Sequence, residues 1–135
     1  MQTSQSCFPQ KNIRRLLDKF QNIIRKILPI YWAFLTFMLL KPGVEKVHYP
    51  FMFEGIDKIV HFGIFTFLGF LFHATFPRMK FSIFLQVLLI YALLTEILQD
   101  ELHWGRSLEF MDLVADAIGI LAGFYFARKW SVYTK

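Results

Sequence analysis

The chain has 135 residues, 56% of them hydrophobic, with 17 Phe, a mean hydropathy of +0.43 and a formal net charge of +5. That length holds one domain and not comfortably two, and that composition excludes an ordinary soluble fold in favour of a membrane protein. A lone cysteine, Cys7, excludes an internal disulfide framework.

The positive charge does not point to nucleic acid. The aromatic residues lie in apolar runs rather than between basic residues, and no nucleic-acid-reading motif is present. The bases are instead segregated along the chain, as membrane topology requires.

Residues 1–10 are polar. Over 11–26, Ile13, Leu16, Leu17, Phe20, Ile23 and Ile24 recur at helical spacing beside Lys11, Arg14, Arg15 and Lys19. This predicts a basic amphipathic helix lying on an anionic membrane surface. The first apolar run, Ile27–Leu40, is short for a span. Ile23 and Ile24 extend it while Arg25 and Lys26 reach for the headgroups, giving a span over about 24–40. Pro42-Gly43 then stops the helix.

Further spans are predicted at 59–76, 81–98 and 110–127. Each is about 18 residues, or about 27 Å of helix, enough for a thin bilayer. The connection at Pro77–Lys80 is very short, so the second and third helices should form a hairpin. The fold class is therefore all-α: an integral membrane bundle of four transmembrane helices with an N-terminal basic amphipathic interfacial helix. It divides into a tail and amphipathic helix at 1–26 and a transmembrane domain at 27–135.

Eleven of the fifteen Lys and Arg fall in the N-terminal segment, the 77–80 loop and the C-terminus. The other two loops hold only Lys41, Lys46, Lys58 and Arg106. Both termini are thus expected to be cytoplasmic, in a multi-pass protein of the cytoplasmic (inner) membrane. Tyr49, Phe51, Phe53 and Trp104 would sit near the outer interface.

Between the third and fourth runs lies a polar island, Glu96 to Asp116. Carboxylates beside hydrocarbon are costly and mark a candidate site. Glu96, Gln99 and Asp100 share a helix face by spacing, as do Glu109, Asp112 and Asp116, whose stripe continues through Gly119 and Gly123. Small residues admit a close neighbour, so that stripe should face the bundle interior and serve helix packing. Asp57 and His61, at i and i+4 on the second helix, are expected to join the same site with Lys58.

Three readings of these residues compete. Arg106 and Lys58 could pair with Asp112, Asp116, Glu96 and Asp57 and tie the helix ends together. Asp57, His61, Glu96, Asp112 and Asp116 could ligate a metal, although no tight motif such as His-Glu-x-x-His is present. Arg106 could hold a phosphate or carboxylate headgroup, with Glu96 and Asp112 beside it for hydrogen bonding or proton transfer. The sequence commits to no metal and no cofactor, and no catalytic motif argues for an enzyme. His73 reads as a packed or interfacial histidine, His48 and His103 as solvated loop residues, and Ser82 and Gln86 as hydrogen-bonding partners between helices. The Phe residues of the second helix read as packing or lipid-facing.

The pattern Asp57-Lys58-x-x-His61-Phe62, then Glu96-x-x-Gln99, then Gly105-Arg106-Ser107-x-Glu109-x-x-Asp112-x-x-Ala115-Asp116-x-x-Gly119-x-x-x-Gly123 resembles the VanZ-like family. These are small bacterial membrane proteins related to an accessory protein of teicoplanin resistance. The resemblance spans about residues 30–127. Asp116 departs from it, standing where the family often has Asn. The resemblance implies an integral membrane protein with a cell-envelope role, linked in the founding member to glycopeptide resistance. It supplies no defined reaction. The expected partners are the bilayer and an anionic lipid or cell-wall precursor, bound through the outward Asp/Glu/His/Arg cluster, with room for a homo-oligomer. The alternative is a metal- or carboxylate-dependent hydrolase or transferase acting on a phosphorylated lipid.

Overall fold

A computed structural model describes residues 10–41, 55–102 and 109–133. All regular structure among them is helical: α1 (Gln10–Leu40), α2 (Ile56–Thr75), α3 (Phe81–Glu101) and α4 (Phe110–Tyr133). Each contains a stretch long and apolar enough to cross a membrane, Asp18–Leu40 within α1 and nearly the whole of the other three.

The amphipathic stretch and the first apolar run are one continuous helix. Pro29 lies inside it and leaves one carbonyl of the ladder without its usual N–H. The other helices extend past the apolar runs that announce them. α2 begins at Ile56, just after Gly55, whose φ of 99° is the left-handed conformation a glycine adopts without strain. Asp57 therefore lies in the first helical turn, where a negative charge meets the positive end of the helix dipole. Pro42 and Gly43 lie outside the described residues.

The outer surface shows that lipid is the solvent. Ile30 and Ile59 are each 70% exposed, and Phe110 is 71% exposed. Water would penalise such a surface over its whole extent, whereas acyl chains do not. The interior is filled by Leu35 of α1, Phe65 and Leu68 of α2, Phe84 and Leu88 of α3 and Ile120 of α4.

Because lipid tails are as apolar as Leu, the hydrophobic effect does not press the helices together. Close fit and interhelical hydrogen bonds must do so. α2 and α4 make by far the most extensive helix contact, and glycine explains it. A Cβ at Gly119 would stand 2.5 Å from the Phe62 carbonyl oxygen, and one at Gly69 would stand 2.9 Å from that of Ile120. A Cβ at Gly123 would collide with the Thr66 carbonyl oxygen. Backbone meets backbone at all three places.

α1 is tied on by polar groups. The Gln21 side-chain amide donates to the Ala74 carbonyl at 2.9 Å, and the Tyr31 hydroxyl donates to that of Ile64 at 2.9 Å. The Thr36 and Tyr91 hydroxyls share a hydrogen bond of 2.9 Å. Both α2 and α3 pack against α1 and α4. The expected hairpin of α2 and α3 is not a close backbone pair. These two helices meet through large side chains, with ring centroids 5.8 Å apart for Phe72–Phe84 and 6.0 Å apart for Phe65–Tyr91. The glycines of α4 explain the preference, since they let it come nearer to α2 than the bulky α3 does.

His73 is buried among Phe84 and Phe124, its ring 4.5 Å from the latter. Ser82 and Gln86, expected between helices, lie on the exposed face of α3 instead. They are near the helix start, where a polar side chain can reach the headgroups and needs no internal partner.

Candidate functional site

The polar residues gather where the C-terminal end of α3 meets the first turns of α2 and α4. His61 lies one turn into α2, Glu96 five residues from the end of α3, and Asp116 two turns into α4. All three are buried, and Asp116 is 0% exposed. His61 Nδ1 stands 2.9 Å from Asp116 Oδ1 and 3.8 Å from Glu96 Oε1. One ligand-type atom from each residue falls in a group whose members all lie within 4.8 Å of one another. A buried carboxylate against an imidazole is a strong interaction, because the low dielectric raises its strength and also the cost of breaking it.

One turn nearer the helix start, Lys58 takes up two other acids. Its Nζ donates to Glu109 Oε2 at 2.8 Å and stands 3.4 Å from Asp112 Oδ1. Asp112 is nearly buried, whereas Glu109 is about half exposed. The expectation that Lys58 pairs with Asp112 agrees with this geometry. Its other expected partners differ, since Asp116 and Glu96 face His61. Asp57 is exposed and joins His61 in lining a groove rather than the buried triad.

Gln99 is buried and donates to the Leu39 carbonyl of α1 at 2.7 Å, so it fastens α1 to α3 beside the cluster. Asp100, one residue on, is exposed. The spacing that put Glu96, Gln99 and Asp100 on one face is thus split by the edge of the bundle. Gly119 and Gly123 hold the α2–α4 contact directly below the acids on α4.

Arg106 lies outside the described residues. So do Cys7, Gly105 and Ser107, the loop histidines His48 and His103, and the interfacial aromatics Tyr49, Phe51, Phe53 and Trp104.

The groove is a feature that the sequence did not announce. It lies between α1 and α2, has a volume of about 340 Å³, and is partly open. Its walls are Tyr31, Phe34, Leu35, Met38 and Leu39 of α1 with Ile56, Val60 and Ile64 of α2. Asp57 and His61 supply its polar residues. Tyr31 was legible only as a hydroxyl inside an apolar run. Gly69, the α2 counterpart of the α4 glycines, carried the same signal as they do and is the glycine the stripe argument left out.

Four membrane-length helices with a buried polar cluster at one end of the bundle define a multi-pass membrane protein. The VanZ/LLP1 family model matches residues 2–131, nearly the whole chain, and the protein belongs to that family. No curated protein and no solved structure matches it.

Proposed function

We propose that the protein holds a lipid-linked polar headgroup at the outer face of the cytoplasmic membrane, in a cell-envelope role. The observation that carries this reading is the groove between α1 and α2, apolar along its walls and polar at Asp57 and His61. Its volume lies at the small end of ligand pockets, suited to a segment of a lipid chain. The chain would lie along Phe34, Met38 and Val60, with the headgroup at His61. The Asp57 carboxylate there would accept hydrogen bonds from hydroxyl or amide groups of the headgroup. Arg106, between α3 and α4 in the chain, is the residue proposed to supply the positive charge for a phosphate. Both termini would be cytoplasmic, with the basic first turns of α1 at the inner headgroups.

The test uses protein in nanodiscs and a photoreactive polyprenyl-phosphate-linked sugar. Val60→Trp and Ile64→Trp fill the groove and should lower labelling tenfold or more. Ile59→Trp, on the lipid-facing side, should leave it unchanged. Equal labelling of all three overturns the reading. Labelling of single cysteines in a Cys7→Ser background checks the topology. Positions 41 and 57 should react from outside and positions 80 and 128 from inside. Altered glycopeptide susceptibility on deletion is the cellular phenotype to measure.

The convergence of His61, Glu96 and Asp116 favours one second reading, a hydrolase or transferase acting on a phosphorylated lipid. Steady turnover of such a lipid, lost in Glu96→Gln, would establish it. Its absence in folded protein would remove it.

A further inference from the structure

We propose that His61, Glu96 and Asp116 form a binding site for one divalent transition-metal ion. The three residues come one each from α2, α3 and α4, so the site exists only when the bundle is assembled.

The geometry is close to what a metal requires. Donor atoms around a four-coordinate zinc ion stand roughly 3.3 Å apart, given bonds of about 2.0–2.1 Å. The His61–Asp116 and His61–Glu96 separations, 2.9 and 3.8 Å, bracket that value. All three donors lie within 4.8 Å of one another, and one ion between them would draw them together.

A second observation points to a ligand independently. The other carboxylate oxygen of Asp116, Oδ2, is buried without a hydrogen-bond partner. Its side chain is 0% exposed. Buried carboxylate oxygens are ordinarily satisfied, so this one lacks a donor or a cation.

Charge agrees. Two carboxylates and a neutral imidazole carry −2, which a divalent ion cancels. An imidazolium would cancel only half. Lys58 is directed to Glu109 and Asp112 instead. The donor set selects the class of ion: one imidazole with two carboxylates suits zinc, manganese or iron(II) better than calcium or magnesium. Three protein ligands leave a position for a further oxygen. His61 also lines the groove, so metal site and groove share a residue. An anionic headgroup at that place would meet a cation rather than bare carboxylates.

The proposal stands apart from the headgroup reading, because its experiment counts metal and not lipid. Protein purified in detergent is incubated with excess Zn²⁺, desalted, and assayed for metal per chain by mass spectrometry. A parallel titration with Co²⁺ reads visible ligand-field bands. About one ion per chain and saturable Co²⁺ bands are expected. Glu96→Gln and Asp116→Asn should each weaken binding tenfold or more, while Asp100→Asn, at an exposed acid of α3, should not. Trace metal with a silent Co²⁺ titration in folded wild-type protein overturns the proposal. So does binding that the triad variants leave unchanged, since that metal would be adventitious. If a triad variant fails to fold, the wild-type stoichiometry and Co²⁺ spectrum decide the matter alone.

Discussion

His61 Nδ1 and Asp116 Oδ1 meet at 2.9 Å across the most extensive helix contact in the protein, although 55 positions separate them in the chain. The pair is buried, and each member is the means by which the other tolerates burial. It therefore joins the stability of the α2–α4 contact to the chemistry of the cluster.

Removing one partner should cost more than softening the bond. His61→Ala strands the Asp116 carboxylate and should destabilise the protein by about 2–4 kcal/mol. Asp116→Asn keeps an oxygen that accepts from His61 and should cost about 1 kcal/mol. Thermal unfolding in detergent, followed by circular dichroism, checks the order. Equal losses would contradict it.

The glycines predict a sharp contrast within one pair of helices. Gly119→Ala and Gly123→Ala push a methyl into opposing backbone and should destabilise by about 1–3 kcal/mol. Gly63→Ala faces open space and should stabilise by about 0.5–1 kcal/mol through helix propensity. Melting curves for the three variants are the measurement.

Gln99→Leu removes the donor to the Leu39 carbonyl, and Gln21→Leu removes the donor to that of Ala74. Each should cost about 1 kcal/mol or less. The two should add, because they fasten α1 to different helices. A double variant much worse than the sum in chemical unfolding would show that α1 releases as a unit.

Lys58 and Glu109 form an ion pair at the bundle end, with Glu109 half exposed. Salt screens such a pair. The melting-point difference between wild type and Glu109→Gln should shrink as sodium chloride is raised. The difference caused by His61→Ala should hold, since that pair is buried.

The four helices were legible because each carries an apolar run, but their ends were under-read. The second span was expected from residue 59, with Asp57 already placed on its helix, and the helix begins at Ile56. The fourth was expected to end at 127 and runs to Tyr133. Hydropathy stops at the first charge, whereas Asp57 and Lys58 or Arg128 and Lys129 continue a helix readily at its ends. Helical spacing placed Asp112, Asp116, Gly119 and Gly123 on one face. It could not show that Asp100 falls beyond the edge that buries Glu96 and Gln99. Nor could periodicity say that Asp116 meets His61 rather than a basic residue. That follows from α4 lying against α2, which depends on Gly69 standing opposite the α4 stripe.

Asp112, Asp116, Gly119 and Gly123 lie along a single line on α4, acids at one end and bare backbone at the other. Side chains can swing, but main chains in contact leave no slack. The separation of His61 from Asp116 is therefore calibrated some two turns away by a residue that has no side chain. Loss of function from a change at Gly123 would trace to a spacer of zero thickness, not to a damaged chemical group.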